Sequence, residues 1–301
     1  MASETQAAIG KARAEFLALV GDLRPELHRY CARLTGSVVE GEDIVQEALA
    51  KAFYTLSLSP ETPPLRPWLF KIAHNAAVDF LKSHGRTTTE SRADLTDIAG
   101  VEERADPLLV RAALAQFISL PLNQRSAVIL KDVLDHSLAE AAETMGTTIM
   151  AVKAALHRGR ARLKADGVRG DRETHVPAAI DARADLDRYA SLFNARDWEG
   201  LRAMIGDDCR LDLVSASRRR GREVALYFEN YAKQDVQLRL GRLDGRLALG
   251  AHVSGSNHPA YFVLLEFEGG RLVGIRDFRY VTYIAADAGF EELGQGTQDA
   301  V

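Results

Sequence analysis

Cysteine is scarce in this 301-residue chain: Cys31 and Cys209 are its two. Their wide separation argues against a disulfide or a cysteine metal site and fits a reducing, cytoplasmic setting. Long apolar runs are missing too. None approaches the roughly 20 residues that a membrane helix requires, so no membrane partner is expected. The opening MASETQAAIGKARAEF lacks the cationic start and apolar core of a signal peptide. Excess positive charge is also absent. Lys and Arg number 38 against 42 Asp and Glu, for a net charge of −4, so any contact with a polyanion must be local. No metal or nucleotide motif appears, and neither cofactor nor metal is expected.

What the chain does have is apolar content, 47% of its residues, and a length that suits two or three domains. From residue 10 to about 166 the apolar spacing is three and four, with abundant Ala and Leu, which predicts helices. Residues 87–107 are polar and acidic without a sustained period and read as a linker, as do 167–181. After about 182 the pattern becomes mixed: helices over RADLDRYASLFNA and GREVALYFENYAK, and strand-like CRLDLVS, VQLRLGRL, AYFVLLEFE and RLVGIRDFRYVTYI. Glu268-Gly269-Gly270 between two apolar runs is the clearest hairpin signal. The expected order is a helical module (10–86), a linker, a second helical module (108–166), a linker, an α+β domain (182–285) and a tail (286–301).

Residues 134–164 read LDHSLAEAAETMGTTIMAVKAALHRGRARLK. Ser137 and Glu140 have capping-box spacing, Gly146 suits a left-handed helix end, and Thr147 or Thr148 can cap the next helix. Two helices joined by a short glycine turn make a helix-turn-helix. On the second, Ile149, Val152, Leu156 and Leu163 are predicted to face inward, and Lys153, His157, Arg160 and Lys164 outward, with Arg158 and Arg162 beside them. No acidic residue occurs from Thr147 to Lys164. A single-sign face repels itself and points to an anionic partner.

Two earlier stretches complete the pattern. PLRPWLFKIAHNAAVDFLKSHGR (64–86) predicts a helix from about Trp68 to Ser83, with Leu69, Ala73, Ala76 and Phe80 on one face and cations and amides elsewhere. EGEDIVQEALAKAF (40–53) is acidic. With the helix-turn-helix, these motifs make residues 14–165 resemble a bacterial RNA polymerase sigma factor of the extracytoplasmic-function class, with its region two and region four. The resemblance implies core RNA polymerase and promoter DNA as partners and no catalytic residue. Arg66 and Lys71 would meet phosphates, and Asn75 matches the asparagine with which that motif cradles a flipped-out base at the −10 element. Thr148, Lys153, His157 and Arg158 would engage the −35 element. Glu42, Asp43, Gln46 and Glu47 would dock on the polymerase clamp helices. Met150-Ala151-Val152 departs from the family's Gly-Thr-Val run, and a region three has no room between 86 and 108.

The last third resembles the SnoaL-like branch of the nuclear-transport-factor-two fold, an α+β cone, through FNARDWEGL and the later RRRGR. The implied function is a sigma factor regulated by its own tail domain through an intramolecular contact. The alternative is a DNA-binding module fused to a small-molecule-binding or isomerase-like enzyme domain. Candidate pocket residues are Asp212, His258, Tyr261, Asp277 and Tyr280, which are expected to be satisfied structural polars.

Overall fold

The computed structural model describes residues 11, 14–58, 63–85, 117–166, 180–220, 224 and 227–293. The expected linker 87–107 and most of 167–181 lie outside them, as does Arg86. The chain divides into two units, Met1–Asp171 and Arg172–Val301.

The first unit is helical: α1 (Arg24–Thr35), α2 (Val38–Leu58), α3 (Leu65–Ser83), α4 (Leu122–Val128) with a π-helical extension (Ile129–Val133), α5 (Leu138–Met145) and α6 (Ile149–Asp166). The expected apolar face of α3 is buried at Leu69, Ala73 and Ala76, and Trp68 packs against the same core. The capping box at Ser137–Glu140 forms, and Gly146 ends α5 at φ 61°. One apolar cluster runs from Leu27 and Leu49 through Leu69 and Phe70 to Phe117, Val128, Val152 and Leu163. The two helical modules therefore share a core. Arg125 of α4 is buried at the seam. Its Nη1 donates to Leu34 O, at the end of α1, and its Nη2 donates to Ile118 O and Leu120 O, each at 2.9 Å. A guanidinium thus fills carbonyl valences that a helix end leaves open. Burial pulls the Arg125 pKa down to about 10, so it stays charged at neutral pH.

The second unit is α+β: α7 (Ile180–Asn194), α8 (Trp198–Met204), β1 (Ile205–Leu213), β2 (Ser217–Arg220), α9 (Tyr227–Tyr231), β3 (Val236–Leu243), β4 (Arg246–Val253), β5 (Tyr261–Glu268), β6 (Arg271–Asp277) and β7 (Phe290–Glu292). The strand order is β2-β1-β6-β5-β4-β3-β7. β1 and β6 run parallel, and the other neighbours run antiparallel. Gly269 and Gly270 turn the predicted β5–β6 hairpin at φ 57° and 73°. The end of α7 is pinned to β3 by the Asn194 amide, which exchanges two 2.8 Å bonds with Leu238 N and O. Sequence reading passed over β4 and read RYVTYI as strand, where the chain makes a turn and a 3₁₀ helix (Thr282–Ala286). It also left Phe290–Glu292 in the tail. Phe290 instead lies on the sheet against Gly241, where an added Cβ would come within 2.3 Å of its Cζ.

Candidate nucleic-acid and polymerase interfaces

On α3 the core residues leave one face to solvent, and Lys71, Asn75 and Asp79, four apart, stand on it exposed. Arg66 is partly held back. Its Nη2 lies 2.8 Å from Glu26 Oε2 and its Nη1 4.0 Å from Glu140 Oε1 of α5, and its guanidinium sits 5.7 Å over the Phe70 ring. His74 points the other way. It is buried and bonds Tyr30 Oη through Nδ1 at 2.7 Å, and burial pulls its pKa down to about 4.

The α6 face splits in the same manner. Lys153 and His157 are exposed and Arg158 is half-buried. Thr148 is exposed and spends its hydroxyl on the helix cap, accepting from Ala151 N at 3.2 Å. Arg160, predicted to face outward as a free cation, grips the fully buried Asp132 carboxylate at 2.9 and 2.5 Å. It fastens α6 to the π-helical turn. Val152, Leu156 and Leu163 are buried as expected, but Ile149 is 44% exposed. The first turn of α6 is thus exposed where the rest of its apolar stripe is covered.

The acidic stretch of α2 needs one correction. Asp43 and Glu47 are exposed and Gln46 is half-exposed, but Glu42 is fully buried. It takes a short hydrogen bond from Arg24 and a weak one from Gln46 at 3.4 Å. Glu42 therefore holds α1 to α2 and offers nothing at the surface. Sequence reading missed it because its partner lies 18 positions away.

Of the five candidates in the second unit, Asp277 and Tyr261 come together, and the sequence did not reveal their companions. Asp277 Oδ2 accepts from Tyr227 Oη at 2.9 Å, Tyr231 Oη at 2.7 Å and Arg279 Nε at 2.8 Å. Oδ1 accepts Arg279 N at 2.9 Å. Tyr261 Oη donates to Tyr231 Oη at 3.1 Å. Burial pulls the Arg279 pKa down, but Asp277 and the two tyrosines outweigh it and hold the guanidinium above its ordinary value. A buried carboxylate that accepts from a paired cation and two phenols is a satisfied scaffold. Asp212 stands apart near Arg218 and Arg276, and His258 and Tyr280 are exposed.

The helical unit matches two known families, Sigma-70 region 2 over residues 19–87 and Sigma-70, region 4 over 111–163. The chain is 29% identical over 216 residues to the ECF RNA polymerase sigma factor SigG of Mycobacterium tuberculosis (strain ATCC 25618 / H37Rv), a match spanning 63% of this chain and 58% of SigG. It therefore spans little more than half the length of that relative. A crystal structure of the Mycobacterium tuberculosis extracytoplasmic function sigma factor SigJ aligns with 89% of this chain and 97% of its own, at 20% identity and TM-score 0.35. The ECF RNA polymerase sigma factor SigL of the same Mycobacterium tuberculosis strain is 32% identical over 139 residues, 44% of this chain and 76% of SigL. On that match, and on two sigma-70 regions falling in order on the two helical modules, the chain belongs to the ECF family of RNA polymerase sigma factors.

Proposed function

We propose that this chain is a cytoplasmic sigma factor that binds core RNA polymerase, directs recognition of −10 and −35 promoter elements and starts transcription. The observation that carries the reading is the α6 face: Lys153 and His157 exposed on a helix-turn-helix with no acidic residue from 147 to 164. Beside it Arg160 is already neutralised by Asp132, whereas Lys153 and His157 stand exposed to solvent. Lys71 is assigned to phosphates near the −10 element, as is Arg66 once it leaves Glu26 and Glu140, and Asn75 to a flipped base, whose Watson–Crick edge an amide can meet with both donor and acceptor. Thr148, Lys153, His157 and Arg158 are assigned to the −35 element, and Asp43, Gln46 and Glu47 to the polymerase. Run-off transcription with purified core polymerase tests the reading; no promoter-directed transcript from any template would overturn it.

The shared core of the helical unit supports a further step. A compact body of about 150 residues is roughly 40 Å across. Elements about 25 base pairs apart are separated by about 85 Å at 3.4 Å per step. The packed form cannot reach both, so we propose that loading onto polymerase parts the modules at the Arg125 seam. About thirty residues lie between Gly85 and Phe117, enough to span roughly 100 Å when extended. The α+β unit, read as SnoaL-like from its sequence, is proposed to regulate this opening by contacting the helical modules in the free protein. Its tether keeps it at high effective concentration. Deleting 182–301 should change promoter-directed transcription; an unchanged transcript yield would remove the regulatory role.

A further inference from the structure

Ile149 and Met150 are 44% and 54% exposed at the start of α6. Both are large apolar side chains, side by side, on a helix whose later apolar positions Val152, Leu156 and Leu163 are buried. Their exposure contributes nothing to folding. Their position is well fixed: Thr148 caps the helix through its hydroxyl, and Val152 N bonds Thr148 O at 3.0 Å. Ile149, Lys153 and His157 recur every four residues, so the apolar tip continues directly into the exposed cationic line.

In a helix-turn-helix, the N-terminal residues of the second helix meet base edges in the major groove. The apolar group on that floor is the thymine C5-methyl. We infer that Ile149 and Met150 read thymine methyls in the −35 element, while Lys153 and His157 supply phosphate or guanine contacts. The occupant of this patch is thus the major groove of T-containing duplex DNA. The inference rests on the reading of α6 as the −35 recognition helix and adds its base preference. Ile149, branched at Cβ and fixed in rotamer, presents a stiff surface; Met150 is unbranched and adapts to its neighbour.

The test uses holoenzyme formed from the full chain and core polymerase. A −35 element is selected from a randomised duplex, and each thymine is replaced in turn by deoxyuridine, which removes the methyl and keeps every hydrogen-bonding group. At one or two positions the replacement should weaken binding about fourfold, the worth of one buried methyl. Ile149→Ala or Met150→Ala should bind the thymine duplex more weakly and become indifferent to deoxyuridine at its position. Both residues are exposed, so thermal melting should be unchanged. A selected element without thymine, insensitivity of the wild type at every thymine, or equal sensitivity in both variants would each overturn the inference. So would loss of core polymerase affinity in these variants with deoxyuridine silent, which would assign the patch to the polymerase. Lys153→Ala separates the layers. A reduced salt slope with deoxyuridine silent keeps α6 on DNA and sinks only the thymine reading. An unchanged slope removes α6 from the DNA and this inference with it.

Discussion

Helices α3 and α6 carry similar side chains and use them in the same two ways. Each has a cation tied to a carboxylate and a set left in solvent. On α3 the tied cation is Arg66, shared between Glu26 and Glu140, with Lys71 and Asn75 outward. On α6 it is Arg160, with Lys153 and His157 outward. The difference lies in depth. Arg160 meets a carboxylate with no exposure, whereas Arg66 and its partners are each more than a third exposed. Charge alone therefore does not mark a nucleic-acid face. The cations available to a partner are those that no acid across the core has already claimed.

The comparison breaks most easily at Arg160. Arg160→Ala strands the buried Asp132 carboxylate, and losing one partner of a buried pair costs about 3–5 kcal/mol. Lys153→Ala on the same helix should stay within about 0.5 kcal/mol. Denaturant unfolding of both variants checks the contrast; similar losses would erase the distinction between tied and free cations.

Histidine gives the next largest effect. His74 on α3 is buried and its pKa is pulled from 6.5 to about 4, while His157 on α6 is exposed. The unfolded chain then binds a proton that the fold refuses between those values. The stability is fully present above pH 6.5 and falls as pH drops toward about 4, by about 3 kcal/mol in total. His136, whose pKa burial also lowers, acts in the same sense. His74→Gln should flatten the wild-type pH dependence by that amount. Unfolding free energies at pH 7 and near pH 4 decide this.

What could be read in the sequence follows from distance along the chain. The apolar face of α3, the capping box at Ser137–Glu140, the Gly146 helix end and the Gly269–Gly270 hairpin depend on residues within a few positions, and all stand as read. Asp244-Gly245, at φ 49° and 83°, is an equally local hairpin signal that would have disclosed β4. The errors at the site come from elsewhere. Glu42 and Arg160 look like surface charges until Arg24, 18 positions away, and Asp132, 28 positions away, are brought to them. Ile149 has the right period for the buried stripe, but periodicity does not say where the covering helices stop. The Asp277 cluster joins a helix and a strand about fifty positions apart, which only the sheet topology could reveal.

On the outward side of the comparison, Asn75→Ala should leave stability within about 0.5 kcal/mol of wild type and impair open-complex formation. The expected loss is about 1–3 kcal/mol, that of one good base contact. The pair Asp43→Ala and Gln46→Ala should instead lower core polymerase affinity. Loss of the same step by both variants would overturn the assignment. Lys153→Ala should reduce the salt slope of −35 binding by about one if it meets a phosphate, an effect visible only in a salt titration.

The smallest effect tests the seam. Arg66 and Glu140 approach at 4.0 Å across the two helical modules, with side chains 37% and 42% exposed. Ion pairs this open contribute about 0–1 kcal/mol. Glu140→Gln keeps an oxygen for Ser137 N, which Glu140 Oε2 now accepts at 2.8 Å, so the helix cap survives while the charge goes. In a double-mutant cycle with Arg66→Ala, the coupling should therefore be below about 1 kcal/mol and should shrink further in high salt. Arg125→Met, which strips the buried carbonyls of Leu34 and Leu120, and the part-buried one of Ile118, of this donor, should cost more than the whole cycle. The seam would then be held by one buried guanidinium and the apolar residues around it, with the surface pair as a minor term. A coupling of 2 kcal/mol or more, or an Arg125→Met variant as stable as wild type, would reverse that ranking and make the opening of the modules a matter of surface charge.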